Sequence, residues 1–234
     1  SNTSQGYVMV KYNGTNEKVK LRITCPDQSC YTYLISDRGA YDTFPLTAGN
    51  GSYALQVLEN VAGDTYTVSL AQSINVSIED EFLPFLYPNQ YVNFHTDSKA
   101  VSKGSDLAKD TYSDLDVVQN IYNYVIKNIS YDTEKAQNVS YGYVPDVDDT
   151  LSSKKGICFD YAALMTSMLR SQNIPTKLEV GYSGDAYHAW ISTYIDDKGW
   201  VDDIIQFNGN TWQIMDPTLA ATCLLYTSPS PRDM

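Results

Sequence analysis

The chain has 234 residues, 43% of them hydrophobic and 19% charged, so it is long enough for one large or two modest cores and too apolar for a disordered polymer. A formal net charge of −12 without any lysine or arginine cluster argues against nucleic acid or an anionic membrane surface as partner, and no apolar run is long enough to span a bilayer. The four cysteines (Cys25, Cys30, Cys158, Cys223) and two histidines (His95, His188) exclude zinc sites built from paired CxxC motifs; no cofactor or metal is expected.

From residue 6 to about 78 the sequence reads as strands. YVMVKY, KVKLRITC, CYTYLIS, SYALQVLE and TYTVSLAQSINV alternate apolar and polar residues. Turns are marked at Asn13-Gly14, Asp37-Arg38-Gly39, Gly49-Asn50-Gly51 and Gly63-Asp64. This predicts a small antiparallel β-sandwich-like module over residues 1–80, structural or adhesive in role. Cys25 and Cys30, in CPDQSC, could close a short disulfide loop in an oxidising compartment or stand as free thiols. Six N-x-S/T triplets, at Asn2, Asn13, Asn50, Asn75, Asn128 and Asn138, are common by chance in so Asn/Ser/Thr-rich a chain and do not establish glycosylation.

Residues 81–112 form an apolar connector followed by a weak helix at Lys99 to Lys109. EDEFLPFLYPNQYVN is too apolar for a loose linker and is expected to pack between two domains. His95, followed by Thr96-Asp97-Ser98, reads as a surface histidine. Asp114 to Ile129 is a strong helix, with Ser113-x-x-Asp116 as capping box and Val117, Ile121, Tyr124 and Val125 as its apolar stripe. Tyr131 to Ser153 reads as irregular, ending in a solvated acidic turn from Asp146 to Asp149. That turn lacks the glycine and distal glutamate of a calcium loop.

Ser152 to Gln172, SSKKGICFDYAALMTSMLRSQ, reads as a glycine turn at Gly156 leading into an amphipathic helix. At about 100° per residue, Cys158, Ala162, Met165 and Leu169 share one face. A thiol in the first turn lies beside unsatisfied N–H groups and the positive end of the helix dipole, a setting expected to favour thiolate; a small core residue is the alternative. Thr176 to Tyr182 and Tyr187 to Ile195 form a hairpin, and Trp200 to Ile205 and Thr211 to Met215 are further strands. A helix followed by an antiparallel sheet is an α+β arrangement.

His188 follows Cys158 by 30 residues and Asp216 follows His188 by 28. A thiolate–imidazolium pair with a carboxylate behind the ring is the constellation for nucleophilic catalysis, and neighbouring strands packed on one helix can assemble it. Singly, His188 could be a core histidine and Asp216 a cap before Pro217.

KGICFDYAALMTSMLRSQNIPTKLEVGY, HAWI and WQIMDPT together resemble the transglutaminase-like superfamily, from about Asp114 through Thr218. The resemblance implies a papain-like fold over residues 113–222 and a Cys-His-Asp triad at Cys158, His188 and Asp216. Trp190, two residues beyond His188, could wall the thiol from water, line the acyl-donor groove or pack in the core. The Cys158 N–H is the natural first oxyanion donor; Tyr131 is a candidate second, with packing as its other role.

The function expected is acyl transfer from an amide through a thioester, most simply by a peptidase or amidase acting on protein or cell-wall (peptidoglycan) peptide. The alternatives are an amine-accepting transglutaminase and a non-catalytic cell-surface scaffold. An arylamine-type acyltransferase would need a basic patch for an acyl-CoA, which the sequence lacks. The opening SNTSQG has no initiator methionine, so a signal peptide is expected to have been removed or to lie outside this stretch; together with the possible disulfide and the sandwich module this makes a secreted or surface location the expectation. Residues 223–234, beginning CLLYTSPSPRD, resemble a translated sequencing adapter. They are expected to be non-native, with the natural frame interrupted after about Thr222.

Overall fold

The computed structural model describes residues 2–35, 39–183, 186–207 and 212–214. The chain divides into two compact units, Ser1–Tyr91 with Ser140–Val144, and Val92–Val139 with Pro145–Met234.

The first unit is built from β1 (Tyr7–Lys11), β2 (Val19–Thr24), β3 (Cys30–Leu34), β4 (Tyr41–Pro45), β5 (Gly51–Ala62) and β6 (Thr65–Val76). One antiparallel sheet runs β3-β2-β5-β6, and β1 pairs with β4 in a second, two-stranded sheet. Strand alternation decides which side chains go inward: Val19, Leu21 and Ile23 are buried while Arg22 is exposed. They join Val8, Phe44, Leu46 and Tyr53 in one core, and each side chain buried to this extent contributes about 1.5–3 kcal/mol. This is the all-β, sandwich-like unit the alternation predicts.

Strand β4 was not expected, because Asp42 and Pro45 interrupt a short run of otherwise good strand formers. Its pairing from Tyr7↔Pro45 to Lys11↔Tyr41 and the complete burial of Phe44 supply what local propensity does not. The Gly63-Asp64 turn closes the β5–β6 hairpin as expected, whereas Asn13-Gly14 closes none, since β1 pairs with β4 and not with β2. Cys25 is buried and Cys30 exposed, both as free thiols, so of the two alternatives the structure holds the unbridged one. Residues 79–91 group with this unit: Tyr87 meets Tyr7 edge-on at 5.5 Å, and Gln90 Nε2 donates to the Leu34 carbonyl at 2.6 Å.

The second unit contains α1 (Lys99–Ala108), α2 (Asp114–Asn128), β7 (Ser130–Tyr131), α3 (Thr133–Asn138), α4 (Val147–Ser153), β8 (Lys155–Gly156) and α5 (Cys158–Ser171). After them come β9 (Thr176–Ser183), β10 (Ala186–Ile195), β11 (Gly199–Phe207) and β12 (Trp212–Ile214), in an antiparallel sheet of order β12-β11-β10-β9. Helix α5 packs on β9 and β10 and is flanked by α1, α2 and α4, which is the α+β arrangement expected.

Two sequence expectations change here. Helix α5 is not amphipathic: every residue from Cys158 to Arg170 is buried, including the polar Asp160, Thr166, Ser167 and Arg170. The apolar stripe Cys158, Ala162, Met165 and Leu169 is buried, but so is the opposite face, because helices cover what the sheet leaves open. Arg170 meets its burial by donating from Nε and Nη2 to the Thr176 carbonyl at 3.0 and 2.7 Å, and burial pushes its guanidinium down to about 9, still charged at neutral pH.

The stretch from Tyr131 to Ser153 is not irregular. It holds α3 and α4, both too short to show apolar periodicity and each started by an aspartate cap. Asp132 Oδ1 accepts from Lys135 N, and Asp146 Oδ1 accepts from the N–H groups of Asp148 and Asp149. The acidic turn is therefore a helix start rather than a free loop. Asp148 does more: its two carboxylate oxygens accept from Lys99 N and Ala100 N at 3.0 and 2.9 Å, capping α1 from a different helix. Helix α2 begins as predicted, with Ser113 Oγ accepting from Asp116 N; the reciprocal bond runs from Tyr112 N to Asp116 instead of from Ser113.

Candidate active site

Cys158 is the first residue of α5, and everything immediately before it is held by backbone pairing. Tyr131 in β7 lies parallel to Gly156 in β8, Ser130 N donates to Lys154 O, and Asp132 N donates to Gly156 O, the last two at 2.9 Å. Gly156 has an ordinary negative-φ backbone here, so the glycine is needed for steric rather than conformational reasons. A Cβ on it would sit 2.7 Å from the Asp160 Cβ, closer than side chains approach. The glycine lets Asp160 fold back over the turn.

Asp160 is wholly buried at the third position of α5. Its Oδ2 accepts from Ile157 N at 2.8 Å and from Lys135 Nζ on α3 at 2.7 Å. Ile157 has no side-chain acceptor, so the start of α5 carries only the acidic half of a capping box. Tyr161, one residue on, donates its hydroxyl to the Ile129 carbonyl at 2.6 Å, and burial pushes its phenol up to about 12.

The thiol itself is 5% exposed. Burial is the largest influence on it and raises it above the ordinary thiol value; the Asp160 carboxylate pushes the same way, while the N–H groups of Phe159 and Cys158 oppose both. This corrects the expectation that the helix entrance by itself favours thiolate. The helix terminus does act on the sulfur, through those two N–H groups, but desolvation outweighs it. Tyr131 is half-exposed, its ring centroid 6.5 Å from that of Tyr161. Its phenol is raised chiefly by burial and then by the charge on Cys158, so it lies within electrostatic range of the sulfur.

The backbone of His188 lies on β10 opposite Gly181 of β9, on a strand that packs against α5; its side chain lies outside the described residues. Ala189 and Ile191, its neighbours in β10, are fully buried in the core that contains Cys158. Trp190 is half-buried and its ring lies over Gly181, where an added Cβ would make ordinary van der Waals contact at 3.5 Å. Asp216 lies outside the described residues, as does Cys223. His95 is exposed and paired with Asp97. Among the described residues no group of His, Cys, Asp and Glu has the arrangement of a metal site, and no helix is long and apolar enough to cross a membrane.

Sequence reading missed the Lys135–Asp160 pair. The one available signal was an acid at the third helical position after Gly156-Ile157; nothing in the sequence points to its partner, 25 positions away.

Residues 102–202 match the profile of the transglutaminase-like superfamily. UPF0252 protein MJ1282 of Methanocaldococcus jannaschii is 29% identical over 133 residues, covering 50% of this chain and 38% of that protein. Kyphoscoliosis peptidase of Mus musculus is 28% identical over 137 residues, covering 52% of this chain and 20% of that protein. The chain thus spans well under half the length of both. A crystal structure of a candidate cysteine protease from Cytophaga hutchinsonii superposes with a TM-score of 0.44 at 16% identity, covering 85% of this chain and 71% of that one.

Proposed function

Because residues 102–202 belong to the transglutaminase-like superfamily, we propose that this protein is a cysteine-dependent acyl-transfer enzyme that uses Cys158, His188 and Asp216 as a triad. The observation carrying the proposal is a buried thiol at the first position of a central helix, inside the matched region, with His188 on a strand packed against that helix.

In the proposed reaction His188 takes the proton from Cys158, and the sulfur attacks an amide carbonyl. The tetrahedral oxyanion is held by the Cys158 N–H at the helix start, and Tyr131 is the candidate second donor. His188 then protonates the departing amine, leaving an acyl-thioester that water or an amine resolves. Asp216 keeps the imidazole in the tautomer that accepts from sulfur. Because burial raises the isolated thiol, ionisation depends on this imidazole more than on the helix terminus. Trp190, half-buried over Gly181, is assigned to the wall of the acyl-donor groove.

The substrate class proposed is a peptide amide, in protein or cell-wall peptide, with hydrolysis as the outcome and a secreted or surface location. Replacing Cys158 by Ala is expected to abolish amide turnover while circular dichroism stays native; persistent turnover in that variant overturns the proposal. The raised thiol is also what a non-catalytic scaffold would show, so the two readings are separated by the pH dependence of Cys158 alkylation. A titration below the ordinary thiol value, about 8.5, supports the enzyme, and one above it supports the scaffold.

A further inference from the structure

The buried ion pair beside the sulfur has no part in the triad scheme. Asp160 is fully buried two residues after Cys158 and binds Lys135 Nζ at 2.7 Å, while the Lys135 side chain retains 29% of its exposure. The same carboxylate oxygen holds Ile157 N, the amide immediately before the nucleophile. Helix α3, which carries Lys135, is itself tied to the turn before the nucleophile: Asp132 caps α3 through Lys135 N and donates its own N–H to Gly156 O. One short helix therefore grips the entrance of α5 twice, once through backbone and once through charge.

A buried carboxylate so close to a nucleophile is costly on two counts. It needs a counter-ion of its own, and its field opposes the negative charge that must form on sulfur. Stability alone would be served as well by an asparagine, which offers Ile157 N the same acceptor without a buried charge. The arrangement makes chemical sense if the charge pair sets the position and field at the sulfur.

We propose that Lys135 and Asp160 are positioning residues for Cys158, Asp160 holding the turn that presents the sulfur and Lys135 holding and neutralising Asp160. The proposal rests on Cys158 being the nucleophile. From α5 the sulfur meets the field of Asp160 and from β7 that of Tyr131; α3 contributes Lys135 through Asp160, and β10 carries His188, whose ring lies outside the described residues.

The test is the rate of iodoacetamide alkylation at Cys158 as a function of pH, followed by peptide mass spectrometry so that Cys30 and the other thiols do not interfere. Lys135→Met is expected to slow alkylation near neutral pH by about tenfold, because it leaves the carboxylate without its cation, and Asp160→Asn to speed it by a similar factor. Lys135→Arg, and the double variant Lys135→Met with Asp160→Asn, are expected to return to within about twofold of the unaltered protein. Opposite signs with cancellation in the double variant cannot come from loosened packing, which would move both single variants the same way. Should Lys135→Met fail to fold, Asp160→Asn decides the matter: an unchanged or slower rate overturns the proposal. An inert Cys158 in the unaltered protein counts against the proposed function, whereas a reactive Cys158 indifferent to both changes counts against the ion pair alone.

Discussion

At the scale of single residues, the entrance to α5 is defined by what will not fit. Gly156→Ala places a Cβ 2.7 Å from Asp160 Cβ, so the turn or the aspartate must move. The expected cost is about 1–3 kcal/mol, read from the midpoint of urea unfolding, with slower Cys158 alkylation as the accompanying sign of a displaced sulfur. Tyr161→Phe removes a 2.6 Å hydrogen bond and leaves the buried Ile129 carbonyl short of a donor, for a loss of about 1–2 kcal/mol in the same assay.

The same tyrosine predicts a pH dependence. Its folded phenol value, about 12, stands above the ordinary value of about 10, so the folded state holds the proton more tightly than the unfolded one. Its contribution is complete below about pH 10 and is lost as pH rises through about 12. Urea midpoints taken across that window are expected to fall, and to fall less in Tyr161→Phe. The sequence offered Cys158, His188 and Asp216 as candidates because motifs resembling the transglutaminase-like superfamily surround them. Lys135 was not, since a polar residue on a short polar helix carries no sign of the buried charge it meets.

Among elements, the long ones were readable and the short ones were not. Helix α2 and strands β2, β5 and β10 emerge where a sustained apolar period coincides with burial, whereas β6 alternates in sequence although Val76 is its one buried residue. Helices α3 and α4, in TEKAQN and VDDTLSS, have no such period; aspartate caps and neighbouring structure hold them. Strand β4 depends on a partner far away in sequence, and β7 and β8 are two residues each. The complete burial of α5 was hidden for a related reason, because its polar face is covered by helices that the local pattern does not announce. Asp148 joins two of these elements, and Asp148→Ala is expected to lower stability by about 1–2 kcal/mol by uncapping α1, with faster hydrogen exchange at Lys99 and Ala100 than elsewhere in the helix.

For the molecule as a whole, the excess of acidic over basic residues sets a self-repulsion that salt screens. With a net charge of −12, the thermal midpoint is expected to rise on going from low salt to about 0.15 M sodium chloride, by a few degrees at most. A flat or falling midpoint would mean that local ion pairs outweigh the net charge. Composition made this much plain, and residue patterning announced an all-β part and an α+β part. It did not reveal that Ser140–Val144, which lies between α3 and α4 in sequence, groups with the first unit, where Gly142 meets Leu34.

That excursion has a topological consequence. The polypeptide passes between the units at 91/92, 139/140 and 144/145, so the N-terminal portion is not a bead on a single string. One proteolytic nick after Tyr91 leaves a five-residue stitch still seated in the β-rich part and covalently continuous with the helices on either side. Truncation at residue 91 would therefore leave the β-rich unit without residues 140–144, a piece of its own fabric.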